Sequence, residues 1–213
     1  ALLFVCSVTQ AQNVLTVRCN SLRPDSINKE IIPYFDAGCE GENVTWDFSA
    51  DNETPCDTTL FAIYYTGNKI LWDYNGSLDT YLQRNDSLLL CRKESPLYEM
   101  DYHEPVVCMT YPFTYGCSIS NRFSGTGSYE GKLSLSEQGM ANVVADAYGR
   151  IILAEGDTLR NVLRVSTARN ADVSIINHET TEDYGTLQKA TDIYEWYARG
   201  YRYPVLRTIE ERI

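Results

Sequence analysis

Apolar and polar residues alternate through most of the chain, and this alternation limits the fold more than any other feature. Side chains of a β-strand point to opposite faces in turn, so a period of two predicts strands with one buried face. The alternating runs are rich in β-branched and aromatic residues, as in Val44-Thr45-Trp46-Asp47-Phe48. Asn75-Gly76 follows one such run and predicts a type I′ hairpin, because both residues accept a positive φ.

The turn signals and the sparse helical patterns lead to a specific fold class. Turn residues recur about every 8–12 residues, a spacing typical of all-β domains. Residues 25–34 predict one or two helical turns, with Asp25 or Ser26 as N-cap, and residues 171–189 predict a long loop. We therefore predict an all-β fold, an antiparallel β-sandwich of the jelly-roll or immunoglobulin-like kind with few or no helices. No Pro/Gly-rich linker divides the 213 residues, which predicts a single domain over residues 12–213.

The first residues resemble the end of a signal peptide. An apolar run ends in small residues, and Thr9 and Ala11 occupy the −3 and −1 positions of a possible signal-peptidase cleavage site. We predict that residues 1–11 are a signal-peptide remnant and that the protein is exported, to the periplasm, the outer membrane or the medium. A buried first strand is the main alternative, and an acylated Cys6 is a weaker one.

Removal of the signal peptide would leave an even number of cysteines. They are Cys19, Cys39, Cys56, Cys91, Cys108 and Cys117. Export to an oxidising compartment makes these residues candidates for disulfides, although the sequence does not select a pairing. The alternative is that several of them are small buried apolar residues. The absence of a CxxC spacing argues against a zinc knuckle and a thioredoxin-type pair.

The charge balance excludes several kinds of partner. The chain has 18 Lys and Arg against 29 Asp and Glu, a net charge of −11. Nucleic-acid binding needs a basic face, and so does docking on anionic lipid. No apolar run reaches the roughly 20 residues that span a bilayer, so we predict neither a nucleic-acid partner nor a membrane span.

Residues with catalytic or metal-binding chemistry are few. His103 is flanked by acidic residues, which suits acid–base work, but no nucleophile is identifiable nearby. Residues 73–79 place oxygen ligands at alternate positions, yet Leu78 and Arg84 stand where a calcium loop needs Gly and Glu. Glycoside hydrolysis needs a pair of carboxylates, and among 29 acidic residues such a pair is expected by chance. A pair of carboxylates therefore does not by itself indicate a hydrolase. We predict no catalytic residue, no metal and no cofactor.

Aromatic residues are abundant, with 16 Tyr, 3 Trp and 6 Phe. Flat rings exposed on a β-sandwich are platforms on which sugars stack. Tyr197, Tyr201 and Tyr203 are the candidate ligand-binding residues, and Tyr111 with Tyr115 is a second choice. The alternative is packing within and between strands, because Tyr is a good strand former.

Six segments together, in order and spacing, resemble a family of exported Bacteroidetes proteins of unknown function. They are residues 41–49 (GENVTWDFS), 86–90 (DSLLL), 111–116 (YPFTYG), 145–149 (ADAYG), 152–165 (ILAEGDTLRNVLRV) and 194–205 (YEWY, then GYRYPV). Similar segments begin some larger proteins that carry type IX secretion sorting domains. The resemblance implies export and a mostly β fold, and it implies no catalytic residues.

Four Asp-Ser or Asp-Thr pairs resemble O-glycosylation sites of exported Bacteroidetes proteins. The hydroxyl residues are Ser26, Thr58, Ser87 and Thr158. The alternative is that Asp followed by Ser or Thr simply marks turns.

Taken together, these features predict an exported, non-catalytic module that has a binding or structural role at the cell envelope, with a glycan or an envelope protein as partner. A carbohydrate-binding module is the first alternative, and it requires exposed aromatic rings on one face. A glycan-active hydrolase is the second, and it requires paired carboxylates in a cleft.

Overall fold

The computed structural model describes residues 13–31, 36–49, 57–153 and 156–213. These residues form one short helix and twelve strands. The elements are α1 (Val17–Asn20), β1 (Asp25–Ile31), β2 (Gly41–Asp47), β3 (Asp57–Thr66), β4 (Lys69–Tyr74), β5 (Ser77–Arg84), β6 (Ser87–Glu94), β7 (Tyr98–Thr110), β8 (Ser118–Tyr129), β9 (Leu133–Ile152), β10 (Thr158–Asn177), β11 (Asp183–Ala198) and β12 (Leu206–Arg212). The prediction of an all-β fold with few helices is confirmed.

All twelve strands belong to one hydrogen-bonded sheet. From β3 to β12 each strand pairs antiparallel with the next one along the chain, and β1 adds to the free side of β3. Strand β2 is the exception, because it lies parallel to the C-terminal part of β9. A jelly roll or an immunoglobulin fold divides its strands between two sheets, whereas here a single sheet supplies both packing layers.

The sheet curls so that one of its faces packs against itself. Ile63 and Ile70 of β3 and β4 share a buried cluster with Val143, Leu163 and Tyr197 of β9 to β11. Directly paired residues lie on the same side of a sheet, and the registers place all of these side chains on one face. We call this enclosed side the inner face and the opposite side the outer face.

Residues 36–49 cover the outer face of β9 to β11. Trp46 of β2 is 3% exposed and packs edge-on against Trp196 of β11, with ring centres 6.2 Å apart. Ile151 and Val162 complete this cluster. The parallel strand β2 therefore closes a second, separate core.

Two local predictions are wrong, and in both cases the structure has strands. Residues 171–189 continue β10 and β11 as a long hairpin, with Ala171 opposite Lys189 and Val173 opposite Leu187. Residues 25–31 form β1, which pairs with β3 over its whole length. Pairing with a neighbouring strand supplies the backbone hydrogen bonds that decide these segments, and it overrides weak local preference.

The hairpin prediction at Asn75-Gly76 is confirmed. Strands β4 and β5 meet at these two residues, with φ of 46° and 73°. A type I′ turn needs both angles to be positive, so the local sequence alone specifies this connection.

The cysteines do not form the predicted disulfide framework among the described residues. Cys19, Cys39, Cys91, Cys108 and Cys117 are all free thiols. Cys91 and Cys108 lie on adjacent strands but on different faces, because Cys108 contacts Arg169 on the inner face whereas Cys91 lies near Arg84 and Lys69.

Several predictions concern residues outside the described ranges. These are the signal-peptide remnant, residues 1–11, and Cys56. Within the described ranges no helix has the length and apolarity needed to cross a membrane.

Candidate functional site

One wall of the inner face carries polar side chains from β4, β5 and β6. Asp79 is paired across strands with Lys93 on one side and with Trp72 on the other, so the three point the same way. Tyr81 follows on that face, and its hydroxyl donates to Asp79 Oδ2 at 3.3 Å. Asp79 is only 8% exposed. A carboxylate is thus held inside the curl of the sheet.

The opposite wall carries charges from β10, β11 and β12. Arg207 Nε lies 3.2 Å from Glu195 Oε1, and Lys189 Nζ lies 3.2 Å from Glu211 Oε1. Arg169 of β10 stands on the same face, and its Nη2 donates to the Cys108 sulfur at 3.8 Å. No carboxylate among the described residues lies within ion-pair distance of Arg169.

The charges of the two walls act on each other. Burial is the main cause that lowers the pKa of Lys93, and the positive charges of Arg169 and Lys189 lower it further. The carboxylates of Asp79 and Glu211 oppose this shift. The strand registers place all five of these side chains on the inner face of the sheet. Side chains from β5, β6, β10, β11 and β12 therefore share one polar interior.

The two edge strands of the sheet each add a cation to the inner face, Lys29 on β1 and Arg207 on β12. Burial lowers the pKa of Lys29 on β1, the charge of Arg207 on β12 adds to the effect, and Glu195 opposes it. We name the whole group the polar cluster. It consists of Lys29, Asp79, Lys93, Arg169, Lys189, Glu195, Arg207 and Glu211. Cations outnumber carboxylates in this cluster, in contrast to the chain as a whole.

A row of half-buried rings adjoins the polar cluster on β3 and β4. Phe61 stacks on Tyr74 with ring centres 5.2 Å apart, and it meets Trp72 edge-on at 6.0 Å. Lys29 Nζ lies 5.1 Å from the centre of Phe61 and 5.7 Å from that of Trp72. The Nε1 of Trp72 and the Nε of Arg169 are buried and have no hydrogen-bond partner within the described part of the chain. Rings and unused donors therefore face the same interior.

The structure places the three candidate tyrosines in two different locations. Tyr197 is 9% exposed, and its hydroxyl donates to Glu195 Oε2 at 2.9 Å. Tyr203 lies against Trp72 with ring centres 6.5 Å apart. Tyr201 is 52% exposed and lies outside the curl. The three rings do not form one exposed row; two of them belong to the inner face.

The second pair of tyrosines serves packing. Tyr111 is buried in the inner core, and its hydroxyl donates to the carbonyl oxygen of Asn20 at 3.2 Å. Tyr115 meets Tyr148 edge-on with ring centres 5.0 Å apart. Their sequence position alone could not distinguish these two from a ligand platform.

The inner-face tyrosines make stability sensitive to alkaline pH. Burial, with a smaller effect of Asp79, raises the pKa of Tyr74 to about 12, and burial raises the pKa of Tyr81 and Tyr197 well above 10.0. A folded-state pKa above the unfolded value gives stability that is present below about pH 10 and is lost as pH rises toward the folded value. The lowered pKa values of Lys29 and Lys93 act the other way, but only below their unfolded value of 10.5.

We therefore expect cooperative unfolding between about pH 10 and pH 12. Far-ultraviolet circular dichroism and tyrosinate absorbance, followed together, would show the late part of the absorbance rise coinciding with loss of strand signal. Complete tyrosine ionisation with an unchanged dichroism spectrum would contradict this expectation.

His103 has a hydroxyl neighbour that sequence reasoning missed. The Oγ of Ser124 on β8 lies 3.0 Å from His103 Nε2, and it donates to Glu104 Oε2 at 2.8 Å. A hydroxyl has one hydrogen, so with the bond to Glu104 made, the histidine must donate to the serine. That is the reverse of an activated nucleophile, and both His103 and Glu104 are exposed. The trio is a polar contact between β7 and β8.

Metal-binding geometry is not found in the described ranges, where no group of three or more His, Cys, Asp or Glu is arranged to hold an ion. In the oxygen-rich segment of residues 73–79, Asn75 donates to Thr59 Oγ1 at 3.1 Å, and Asp79 points to the inner face. The hairpin therefore accounts for the pattern that resembled a calcium loop.

The candidate glycosylation residues all lie at or near the start of a strand. Ser26, Thr58 and Thr158 are exposed and Ser87 is half-buried. The carboxylates of Asp25 and Asp57 accept hydrogen bonds from the backbone N–H of Ser26 and Thr58. These positions are accessible, and they also fit the turn interpretation.

Comparison of the chain with protein-family models, with curated proteins and with solved structures finds no match.

Proposed function

We propose that this chain is an exported, non-catalytic binding module of the cell envelope, and that its ligand is held on the inner face of the sheet. The observation that carries the proposal is the polar cluster beside a row of half-buried rings. Export follows from the apolar N-terminus and from the resemblance to exported Bacteroidetes proteins, so it is part of the proposal.

Half-buried cations, Lys93 and Arg169, on the same face as the buried carboxylate of Asp79 are the physical argument for a ligand. Moving a cation out of water is unfavourable unless a partner compensates it, and a sheet that only needed a core would carry apolar residues there. Arg169 has no carboxylate partner among the described residues, and a buried donor without a partner destabilises by about 1–3 kcal/mol. A polar ligand with negative charge beside Arg169 would supply the partner that the described residues do not.

The chemistry of the face favours a carbohydrate among polar ligands. Flat rings at Phe61, Trp72 and Tyr74 suit the C–H faces of sugars, and charged groups suit their hydroxyls. A hydrolase would use two carboxylates of the same face, and Asp79 and Glu195 are available for that.

The test is binding of the chain to a glycan array, followed by calorimetry with any hit. We expect that Lys93→Gln with Arg169→Gln lowers affinity by roughly tenfold or more, since each charged hydrogen bond is worth about 1.5–3 kcal/mol. Arg122→Gln with Arg160→Gln is the matched control, because both are exposed strand residues and the charge change is equal. Equal losses in the two pairs would contradict an inner-face site, and a blank array would favour a structural or protein-binding role.

Two further experimental outcomes would distinguish the proposed inner-face site from a hydrolase and from a site outside the curl. Cleavage of a bound glycan, lost on Asp79→Asn or Glu195→Gln, would establish the hydrolase instead. Loss of binding in Tyr201→Ala but not in the inner-face pair would move the site to the outside of the curl.

A further inference from the structure

A cavity lies outside the curl, between α1 and the turn that joins β11 to β12. Its volume is about 690 Å³. Its lining includes Arg18, Asn20, Arg23, Arg199, Tyr201 and Arg202. We call it the arginine pocket. Its size is typical of small-ligand sites, which measure about 300–1,000 Å³.

The arginine pocket is strongly basic in an acidic protein. Arg18, Arg23, Arg199 and Arg202 line it, and no Asp or Glu does. The chain as a whole has 29 acidic and only 18 basic residues. Among the described carboxylates, none forms an ion pair with any of the four arginines. Four like charges gathered without counter-charges repel one another, and a bound anion relieves this.

Backbone carbonyls hold two of the guanidinium groups side by side. Arg23 Nη2 and Arg202 Nη1 both donate to the carbonyl oxygen of Arg18, at 3.3 and 3.4 Å. Arg202 Nη1 also donates to the carbonyl oxygen of Ser21 at 3.1 Å. These bonds use only some of the donors of each guanidinium, so others stay free for a ligand.

The floor of the arginine pocket is tied together by Asn20, which is 9% exposed. Its Nδ2 donates to the carbonyl oxygens of Tyr201 and Arg202 at 3.4 and 3.3 Å, and its Oδ1 accepts from the backbone N–H of Thr16 at 3.1 Å. The helix and the turn, about 180 residues apart in sequence, are thereby fixed to each other. On such a frame, the side chains of Arg23 and Arg202 lose little freedom when a ligand binds.

We propose that the arginine pocket binds a polyanion whose charges are sulfate or phosphate groups. Guanidinium groups bind such oxyanions through paired N–H···O bonds. The four positive charges of the pocket exceed the single negative charge of a carboxylate, so a ligand with several negative charges fits better. The cavity is much larger than a single oxyanion, since one water occupies about 30 Å³. The exposed ring of Tyr201 at the rim gives the remainder of the ligand a flat surface. This site is separate from the inner face and does not rest on the function proposed above.

Calorimetric titration of the full chain with tripolyphosphate, sucrose octasulfate and uncharged sucrose tests the proposal. We expect at least one polyanion to bind, sucrose not to bind, and affinity to fall when salt is raised from about 50 to about 200 mM. Preference for tripolyphosphate indicates a phosphorylated ligand, and preference for the octasulfate indicates a sulfated one. Absence of binding by both polyanions at the lower salt would overturn the proposal.

Paired substitutions locate the binding. Arg18→Gln with Arg199→Gln should weaken it by roughly tenfold or more, and these exposed side chains donate to no described group, so folding is spared. Arg23→Gln with Arg202→Gln should weaken it at least as much. Arg122→Gln with Arg160→Gln changes the net charge equally and should leave affinity within about twofold. A loss in this control pair equal to that in the pocket pairs, or a loss only in Lys93→Gln with Arg169→Gln, would also overturn the proposal.

Discussion

Replacing Arg164 with alanine should lower the free energy of unfolding by about 3–5 kcal/mol. The Arg164 side chain on β10 is 2% exposed and forms a two-point ion pair with Asp146 on β9, with Nε–Oδ1 at 2.9 Å and Nη2–Oδ2 at 3.0 Å. Its Nη1 donates to the carbonyl oxygens of Ala37 and Gly38 at 2.6 and 3.0 Å. The alanine variant would leave the Asp146 carboxylate and two carbonyls without partners.

The ring contacts of Arg164 add to this effect. Its guanidinium carbon lies 5.6 Å from the ring centre of Trp46 and 5.1 Å from that of Tyr194. These contacts connect residues 36–49 to the outer face, so their loss should also loosen β2. Lysine at this position would keep the charge but not the two-point geometry, and we expect it to recover little stability.

Chemical denaturation measures the difference. Arg160→Ala is the control, because Arg160 is exposed on the same strand, and it should change stability by less than about 0.5 kcal/mol. The double variant Arg164→Met with Asp146→Leu removes both charges and should be more stable than Arg164→Ala alone. If Arg164→Ala were as stable as Arg160→Ala, the ion pair would not be holding residues 36–49 in place.

Gly149→Ala should displace β2 from the sheet and destabilise the fold by about 2–4 kcal/mol. A Cβ at Gly149 would overlap the carbonyl oxygen of Val44 and would lie 2.7 Å from its backbone nitrogen. These are backbone atoms of the strand paired with Gly149, so no side-chain rotation can relieve the overlap. Strand β2 must move away, and Trp46 must move with it.

Intrinsic fluorescence and denaturation together test this result. Exposure of Trp46 should shift the emission to longer wavelength, and protease should cut within residues 36–49 sooner than in the parent chain. Ser136→Ala, at an exposed position of the same strand, is the control and should behave as the parent does. An unshifted spectrum with parent-like stability would mean that β2 accommodates a methyl group.

Local patterns predicted those elements whose backbone is decided within a few residues. The Asn75-Gly76 turn was predictable because positive φ is a property of the two residues themselves. Residues 171–189 were not, because their alternation is weak and their hydrogen bonds go to β9 and to each other. The same holds for β1, which gains its partner only once β3 lies beside it.

The candidate sites depended on distant parts of the chain. Lys93 and Arg169 face one interior because the sheet curls, and no spacing in the sequence reveals that. Tyr197 and Tyr203 were candidates for an exposed platform, yet the register turns Tyr197 inward against Glu195. Arg23 and Arg202 meet on one carbonyl oxygen, which local sequence could not foresee.

Alternation of apolar and polar residues, with turn residues between the runs, was sufficient for the all-β class, and Asn75-Gly76 was sufficient for the hairpin between β4 and β5, because both depend on neighbours in sequence. Asp146 and Arg164 lie in two of the segments that carried the family resemblance, but the sequence did not indicate that these two residues form an ion pair. Tertiary structure alone decided which face became the interior, which charges were buried and where the arginines gathered. The reason is that strand pairing and the curl of the sheet bring together residues whose separation along the chain carries no local signal.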